Sequence, residues 1–222
     1  MSESSVRSRP PDLLYGETET ELRAAVRGLL ADKAAWPDVL ARTETPQTYD
    51  AGLWHTLAAE VGVAGLLIPE ALGGAGASYR EAAVVAEEIG RAVAPVPFLG
   101  SAVVATTALL SVGDAEVLPR LATGAVTAAL AVPFAAGPFA AGPFAAGTGR
   151  RPEPGVRLVG SQPGDEPGSY RLEGVVRGVA DALPADVLLV PADGVPYGLY
   201  LVQVGAGVGK NPVVSLDQTR QL

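Results

Sequence analysis

Apolar positions recur at helical spacing through the first third of the chain. Between residues 18 and 34, Leu22, Ala25, Val26, Leu29 and Leu30 fall on one helical face. Thr18 followed by Glu21 reads as a capping box, in which a hydroxyl takes an orphan N–H and a carboxylate reaches back. Trp36-Pro37 ends that helix, because proline disfavours helical geometry in the residue before it. Residues 50–61 predict a second helix, with Asp50 as N-cap, Leu53, Trp54, Leu57, Ala58 and Val61 on one face, and Gly62 as the stop. Residues 66–78 (LLIPEALGGAGAS) read as a turn-rich loop. Residues 79–93 predict a third helix, capped by Ser78 with Glu81 reaching back. Residues 98–112 are nearly all apolar and predict a central helix. Gly113 and Asp114 break it, and residues 115–122 form a short helix that stops at Gly124.

The pattern then changes. Residues 126–132, 156–159, 170–179, 186–191, 197–204 and 213–216 alternate or carry β-formers between Gly and Pro turns. The expectation is an α+β fold: an N-terminal all-helical domain over 1–124, then a small antiparallel β-barrel-like domain over 125–222. Within the second lies a tandem PFAAG insert at 133–147. It reads as a low-complexity loop expansion, since repeat architectures have periods of about 20–50 residues.

Composition narrows the chemistry. The chain has 222 residues, 24 acidic against 16 basic, and a net charge of −8, which opposes nucleic-acid binding. With no Cys, disulfides, Cys-ligated metals and a thiol nucleophile are excluded. The single His, His55, excludes multi-His metal sites; beside Trp54 in a helix it reads as structural. The opening MSESSVRSRPP lacks the apolar core of a signal peptide. The charge-poor stretches 92–113 and 121–149 are interrupted by prolines and polar residues, so neither suits a membrane span. A cytoplasmic protein without membrane contact is expected.

Local motifs exclude more than they assign. There is no GxSxG, HExxH or EF-hand loop. GAGVGK at 205–210 lacks the first P-loop glycine, where Val204 stands, and has Asn211 in place of Ser or Thr, so it reads as a turn. GGAGAS at 73–78 puts Tyr79 where a dinucleotide fingerprint needs its third glycine, and follows no strand. Glu87 and Glu88 point about 100° apart on a helix and do not converge on one substrate. They read as a solvated face with one structural hydrogen-bond partner; a buried Glu lining a ligand cavity is the alternative.

The order of these pieces resembles the acyl-CoA dehydrogenase family. The resemblance is carried by Trp54, by Gly62-Val63-Ala64-Gly65-Leu66, and by Pro69-Glu70-Ala71-Leu72-Gly73-Gly74-Ala75-Gly76-Ala77-Ser78. It continues in Glu87-Glu88-Ile89-Gly90-Arg91 and Ala94-Pro95-Val96-Pro97, then in residues 174–192 and in Ser215-Leu216-Asp217-Gln218-Thr219-Arg220. It implies an oxidoreductase of lipid metabolism that takes a proton and a hydride from an acyl-CoA thioester, with FAD as hydride acceptor. Fatty acyl, branched and steroid side-chain thioesters all remain open.

The resemblance also implies site residues and partners. The family's first flavin-contacting stretch, usually a Thr-Glu pair before a Gly-Ser segment, matches Ala131, Val132 and Pro133; proline has no N–H to donate. Its second stretch, usually an aromatic residue and a Thr or Ser, matches Gly178, Val179 and Ala180. The candidate cofactor-binding residues are therefore Ala131, Val132, Pro133, Val179 and Ala180, acting through backbone groups. No residue is assigned as catalytic, Glu70 and Glu88 included, because the family's catalytic Glu lies in a C-terminal four-helix bundle expected beyond Leu222. A homo- or hetero-oligomer with a bundle-bearing subunit is implied. The alternatives are a non-catalytic subunit of a heteromeric acyl-CoA dehydrogenase and an inactive truncated family remnant.

Overall fold

The computed structural model describes residues 14–47, 49–113, 115–133, 155–160, 170–192, 198–205 and 207–219. Most of the PFAAG insert lies outside them. Among the described residues, helices come first and small sheets follow.

Helix α1 (Glu17–Lys33) starts one residue earlier than expected, and its cap is displaced. Gly16 is the N-cap, and the Glu19 carboxylate accepts its N–H at 2.8 Å, so the Thr18–Glu21 box does not form. Pro37 ends α1 but also opens α2 (Trp36–Thr43), which the sequence reading missed. Proline fits the first helical turn, where its missing N–H costs nothing. Helix α3 (Ala51–Thr56) is capped by Asp50, whose carboxylate accepts the Leu53 N–H at 2.9 Å. It widens into a π-helical turn (Leu57–Val61) and stops at left-handed Gly62. Ser78 caps α4 (Tyr79–Arg91), with Glu81 reaching back to its N–H at 2.8 Å. The central helix runs as a π-helical segment (Phe98–Ala105) into α5 (Thr106–Val112), and α6 (Leu118–Ala122) follows.

One core joins α1, α3, α4 and the start of the central helix, through Val26, Leu30, Trp54, Leu57, Val85, Ile89 and Phe98. The loop between α3 and α4 folds onto itself. Gly76 and Ala77 donate to the carbonyls of Ile68 and Leu66, both at 2.8 Å. Gly74 sits so close that a Cβ there would lie 2.1 Å from the Ile68 carbonyl.

The sheets are mixed. Strand β1 (Ala128–Leu130) pairs parallel with β4 (Val187–Ala192), and β4 pairs antiparallel with β5 (Gly198–Gln203). Strands β2 (Val156–Gly160) and β3 (Tyr170–Gly174) form an antiparallel pair. The all-antiparallel expectation is thus corrected at β1, whose neighbour is reached by a crossover rather than a hairpin. Among the described residues no closed barrel forms. Residues 213–216 form no strand, and Val214 and Leu216 are exposed. Alternation along β4 sets two faces. Val187 and Leu189 pack with Ile68, Leu109 and Leu118 on the helical side, while Val190 and Ala192 pack with Ala131 and Val156 on the other.

Candidate functional site

The face of β4 turned away from the helices borders a crevice of about 480 Å³. Its walls include Ala131, Val156, Leu172, Leu188 and Val190, the turn after β3 at Gly178 and Val179, and the cations Arg177 and Lys210. That is a size and lining that small ligands take. Of the five candidate cofactor-binding residues, Ala131 and Val179 line this crevice. Val132 follows Ala131 at the end of β1, Pro133 is exposed, and Ala180 lies half-buried just after Val179.

The two stretches differ in what they can offer a ligand. Ala131 donates its N–H to the Leu189 carbonyl at 2.8 Å and Val132 to the Leu130 carbonyl at 2.8 Å. With Pro133 lacking a donor, the first stretch has no N–H to spare. In the second stretch, the N–H groups of Gly178, Val179 and Ala180 make no hydrogen bond among the described residues. Gly178 is left-handed (φ 63°), and a Cβ there would meet nothing within 4 Å. Unengaged donors beside open space suit an acceptor-rich ligand edge such as that of a flavin, so the residues fit that group along one side only.

Lys210 holds the floor of this turn. Its Nζ donates to the carbonyls of Leu183 at 2.7 Å and Ala185 at 2.8 Å. Burial pushes its pKa below the usual lysine value, opposed by the nearby Asp186 carboxylate. This is the role of the GAGVGK segment, whose Val208 N–H closes on the Gly205 carbonyl as a turn.

Polar groups also tie the sheets to the central helix. Asp181, left-handed at φ 56°, accepts the Gly100 N–H at 2.8 Å. Ala128 at the start of β1 donates to Ser101 Oγ at 3.0 Å. The Thr127 N–H donates to Asp186 at 2.8 Å, fixing the entry to β1 against the entry to β4. A second crevice of about 400 Å³ lies at this junction, lined by Tyr49, Pro95, Asp181 and Pro184 among others. Burial, aided by the carboxylates of Asp186, Asp50 and Asp181, pushes the Tyr49 phenol up to about 12.

The carboxylates in the helices do structural work. Glu88 is 2% exposed. It accepts from Arg27 Nε at 2.8 Å, Arg27 Nη2 at 2.7 Å and Arg23 Nη1 at 3.0 Å. Those bonds, chiefly from Arg27, hold its carboxyl below the usual range against the cost of burial. Glu87 pairs with Arg23 at 2.7 Å on the surface. The expected solvated face with one partner describes Glu87, whereas Glu88 is buried and held by two arginines, a correction to that expectation; neither Glu lines either of these crevices. Glu70 and His55 are exposed on the outer surface. Among the described residues, no group of three acidic or His side chains could hold a metal ion, and no helix is long and apolar enough to cross a membrane.

Residues 16–125 match the family model described as the acyl-CoA dehydrogenase N-terminal domain. Over 108 residues the chain is 47% identical to the acyl-CoA dehydrogenase IpdE2 of Mycolicibacterium smegmatis, covering 48% of this chain and 34% of that protein. A variant of the Tcur3481–Tcur3483 steroid acyl-CoA dehydrogenase superposes with a TM-score of 0.73 at 30% identity, over 93% of this chain and 54% of that one. The ChsE4–ChsE5 complex from Mycobacterium tuberculosis gives 0.72 at 24% identity, over 91% and 52%. An acyl-CoA dehydrogenase from Bacillus anthracis complexed with FAD gives 0.70 at 18%, over 93% and 35%. The last two likenesses show the fold alone. The chain spans about half the length of the first two of these solved chains, and its match covers about a third of the curated relative.

Proposed function

We propose, for a chain that belongs to the acyl-CoA dehydrogenase family through its N-terminal domain, a part in an FAD-dependent enzyme that removes a proton and a hydride from an acyl-CoA thioester. Residues 1–124 are its helical domain and 125–222 its middle β domain. The enzyme is a soluble cytoplasmic hetero-oligomer, a reading supported by the paired names of two similar solved structures. The substrate class we favour is a steroid-type acyl-CoA thioester, since the likeness at 30% identity is to a steroid acyl-CoA dehydrogenase.

The observation that carries this reading is the turn at 178–180. Three successive N–H groups are unengaged there, those of Gly178 and Val179 at the crevice wall and that of Ala180 next to it, in the stretch that the family resemblance matches to a flavin contact. When bound, the flavin takes the hydride. This chain's own contribution is to orient one flavin edge with backbone donors and to wall the crevice with apolar groups that exclude water. No carboxylate among the described crevice residues is placed to take a proton, so the base comes from elsewhere in the assembly.

A second reading, a non-catalytic subunit whose partner carries the flavin, is favoured by the first stretch. Ala131 and Val132 have spent their N–H groups within the sheet, and Pro133 has none. The test is the flavin absorption band of the full-length protein, purified alone and after co-expression with a candidate partner dehydrogenase chain. A band that tracks this chain and bleaches with an acyl-CoA supports the first reading. A band that appears only with the partner, and survives Gly178→Trp here, supports the second. A colourless sample in both preparations overturns the enzyme reading.

A further inference from the structure

We propose that Asp181 is a positioning residue: by capping the central helix from across the junction, it fixes the 178–180 turn against the helical half. The inference rests on the reading of that turn as flavin-facing, and names what holds it.

The central helix begins at Phe98 without a local cap. Its N-cap position is Pro97, which has no side-chain acceptor, while the first N–H groups of any helix lack an internal partner. Gly100 is the third residue of that helix. Its N–H is satisfied by the Asp181 carboxylate, 81 residues further along the chain. The side chain that usually caps a helix from just before it is here supplied by another part of the fold.

The contact is built for closeness. Asp181 is 7% exposed, and a buried carboxylate is costly unless it is hydrogen-bonded. A Cβ on Gly100 would lie 2.5 Å from the Asp181 Oδ2 and 2.6 Å from its Cβ, so only glycine allows the approach. Asp181 itself holds a left-handed backbone, which Asp and Asn tolerate better than other side chains. A strained backbone persists where its surroundings hold it. Here the Gly100 bond holds it from one side. From the other, Lys210 holds the carbonyls of Leu183 and Ala185. Val179 and Ala180 lie immediately before Asp181 and inherit its position.

The test uses the full-length protein and three variants. Asp181→Ala removes the acceptor. Asp181→Asn keeps an acceptor oxygen and tolerates the left-handed backbone. Gly100→Ala pushes the pair apart from the opposite side and serves if Asp181→Ala does not fold. Amide hydrogen exchange is read at Gly100, at Ala182 and Ala185, whose N–H groups close the turn onto the Val179 and Ala182 carbonyls, and in α1 and α4 as reference. Loss of a hydrogen bond to a buried donor predicts that Asp181→Ala and Gly100→Ala each speed exchange at Gly100, Ala182 and Ala185 about tenfold or more, with α1 and α4 unchanged. Asp181→Asn restores protection at both places. In a preparation that carries flavin, the first two variants also shift its absorption band and Asp181→Asn does not. Unchanged exchange at Ala182 and Ala185, equal acceleration in every helix, or failure of Asn to restore protection overturns the proposal. If the wild-type assembly holds no flavin, the flavin-facing reading falls, while the exchange data still decide whether Asp181 positions the turn.

Discussion

The carboxylates that cap or cross-link the helices find their partners within the helical half, whereas the sheet half leans on the helices and leaves donors open. Glu88 is held by Arg23 and Arg27, Glu19 by Gly16 and Arg80, and Asp50 by Leu53 and Arg42. In the sheet half, Asp181 and the Ala128 N–H find their partners in the central helix, and the N–H groups of the 178–180 turn find none among the described residues. The apolar groups follow suit. One large cluster joins α1, α3, α4 and the start of the central helix, a second is shared by α5, α6 and the near face of β4, and the far face of β4 is covered by small clusters around Ala131 and Val179. The proposed flavin contact rests on this difference, because donors left open at a crevice wall are free to meet a ligand.

The sharpest way to test the self-sufficiency of the helical half is its glycine loop. At Gly74 a Cβ would lie 2.1 Å from the Ile68 carbonyl and 2.6 Å from that of Gly65, both rigid backbone. Gly74→Ala should cost about 3 kcal/mol or more, as severe overpacking does. At neighbouring Gly73 the same methyl meets nothing within 4 Å, but φ is +83°. Gly73→Ala should cost only about 1 kcal/mol, for the left-handed backbone. Urea midpoints of the two variants give the difference. Equal costs would mean that the loop is not packed as described.

Next in size is the buried ion cluster. Glu88→Gln removes the charge that three guanidinium N–H groups share, and should cost about 2 kcal/mol, less than a fully buried pair because Arg27 can turn to water. Arg27 is 48% exposed. The sign with pH follows from the carboxyl being held low in the folded protein. The stability from Glu88 is fully present above its unfolded value, about 4.3, and is lost as pH falls through the folded one. Wild-type and Glu88→Gln midpoints should therefore converge in acid. A gap that stays constant below about pH 4 would show that the charge is not what binds α1 to α4.

The same contrast explains what could be read from the sequence. Asp50 and Ser78 announced their helices, because a cap is a local event and its residues are adjacent in the chain. Helix α2 was hidden because Pro37, correctly read as an end, is also compatible with a beginning. The cap of α1 slipped to Gly16, which has no side chain to signal it. Parallel pairing of β1 with β4 has no local signature, since the partners are separated by 59 positions (Ala128 with Val187). The candidate flavin positions were legible only through family resemblance. Asp181, Ser101 and Lys210 were not singled out, because their partners are brought near by the fold alone.

Ser101 tests the join between the halves. Its Oγ is the acceptor for the buried Ala128 N–H that opens β1. Ser101→Ala leaves that donor without an acceptor and should cost about 1–2 kcal/mol. If the sheet half depends on the helices as argued, exchange should rise first in β1 and β4 and leave α1 and α4 protected. Uniform loss across both halves would erase the distinction drawn between them.

The smallest expected effect lies within the sheet half, at Lys210. Its pKa is lowered in the folded protein, by burial before anything else. The unfolded chain therefore binds more protons between the folded value and the ordinary 10.5, and in that window stability rises with pH. Lys210→Met keeps an apolar stem but has no group to titrate, so it should lack the climb that the wild type shows as pH approaches 10.5 from below. The variant also frees the carbonyls of Leu183 and Ala185, which should loosen the turn that Asp181 holds from the other side. Denaturant midpoints across that range, with hydrogen exchange at Ala182 and Ala185 at a single pH, separate the two effects. A wild-type profile as flat as the variant's would mean that the Lys210 ammonium is as well hydrated as any surface lysine, and that the turn is pinned from the helical side alone.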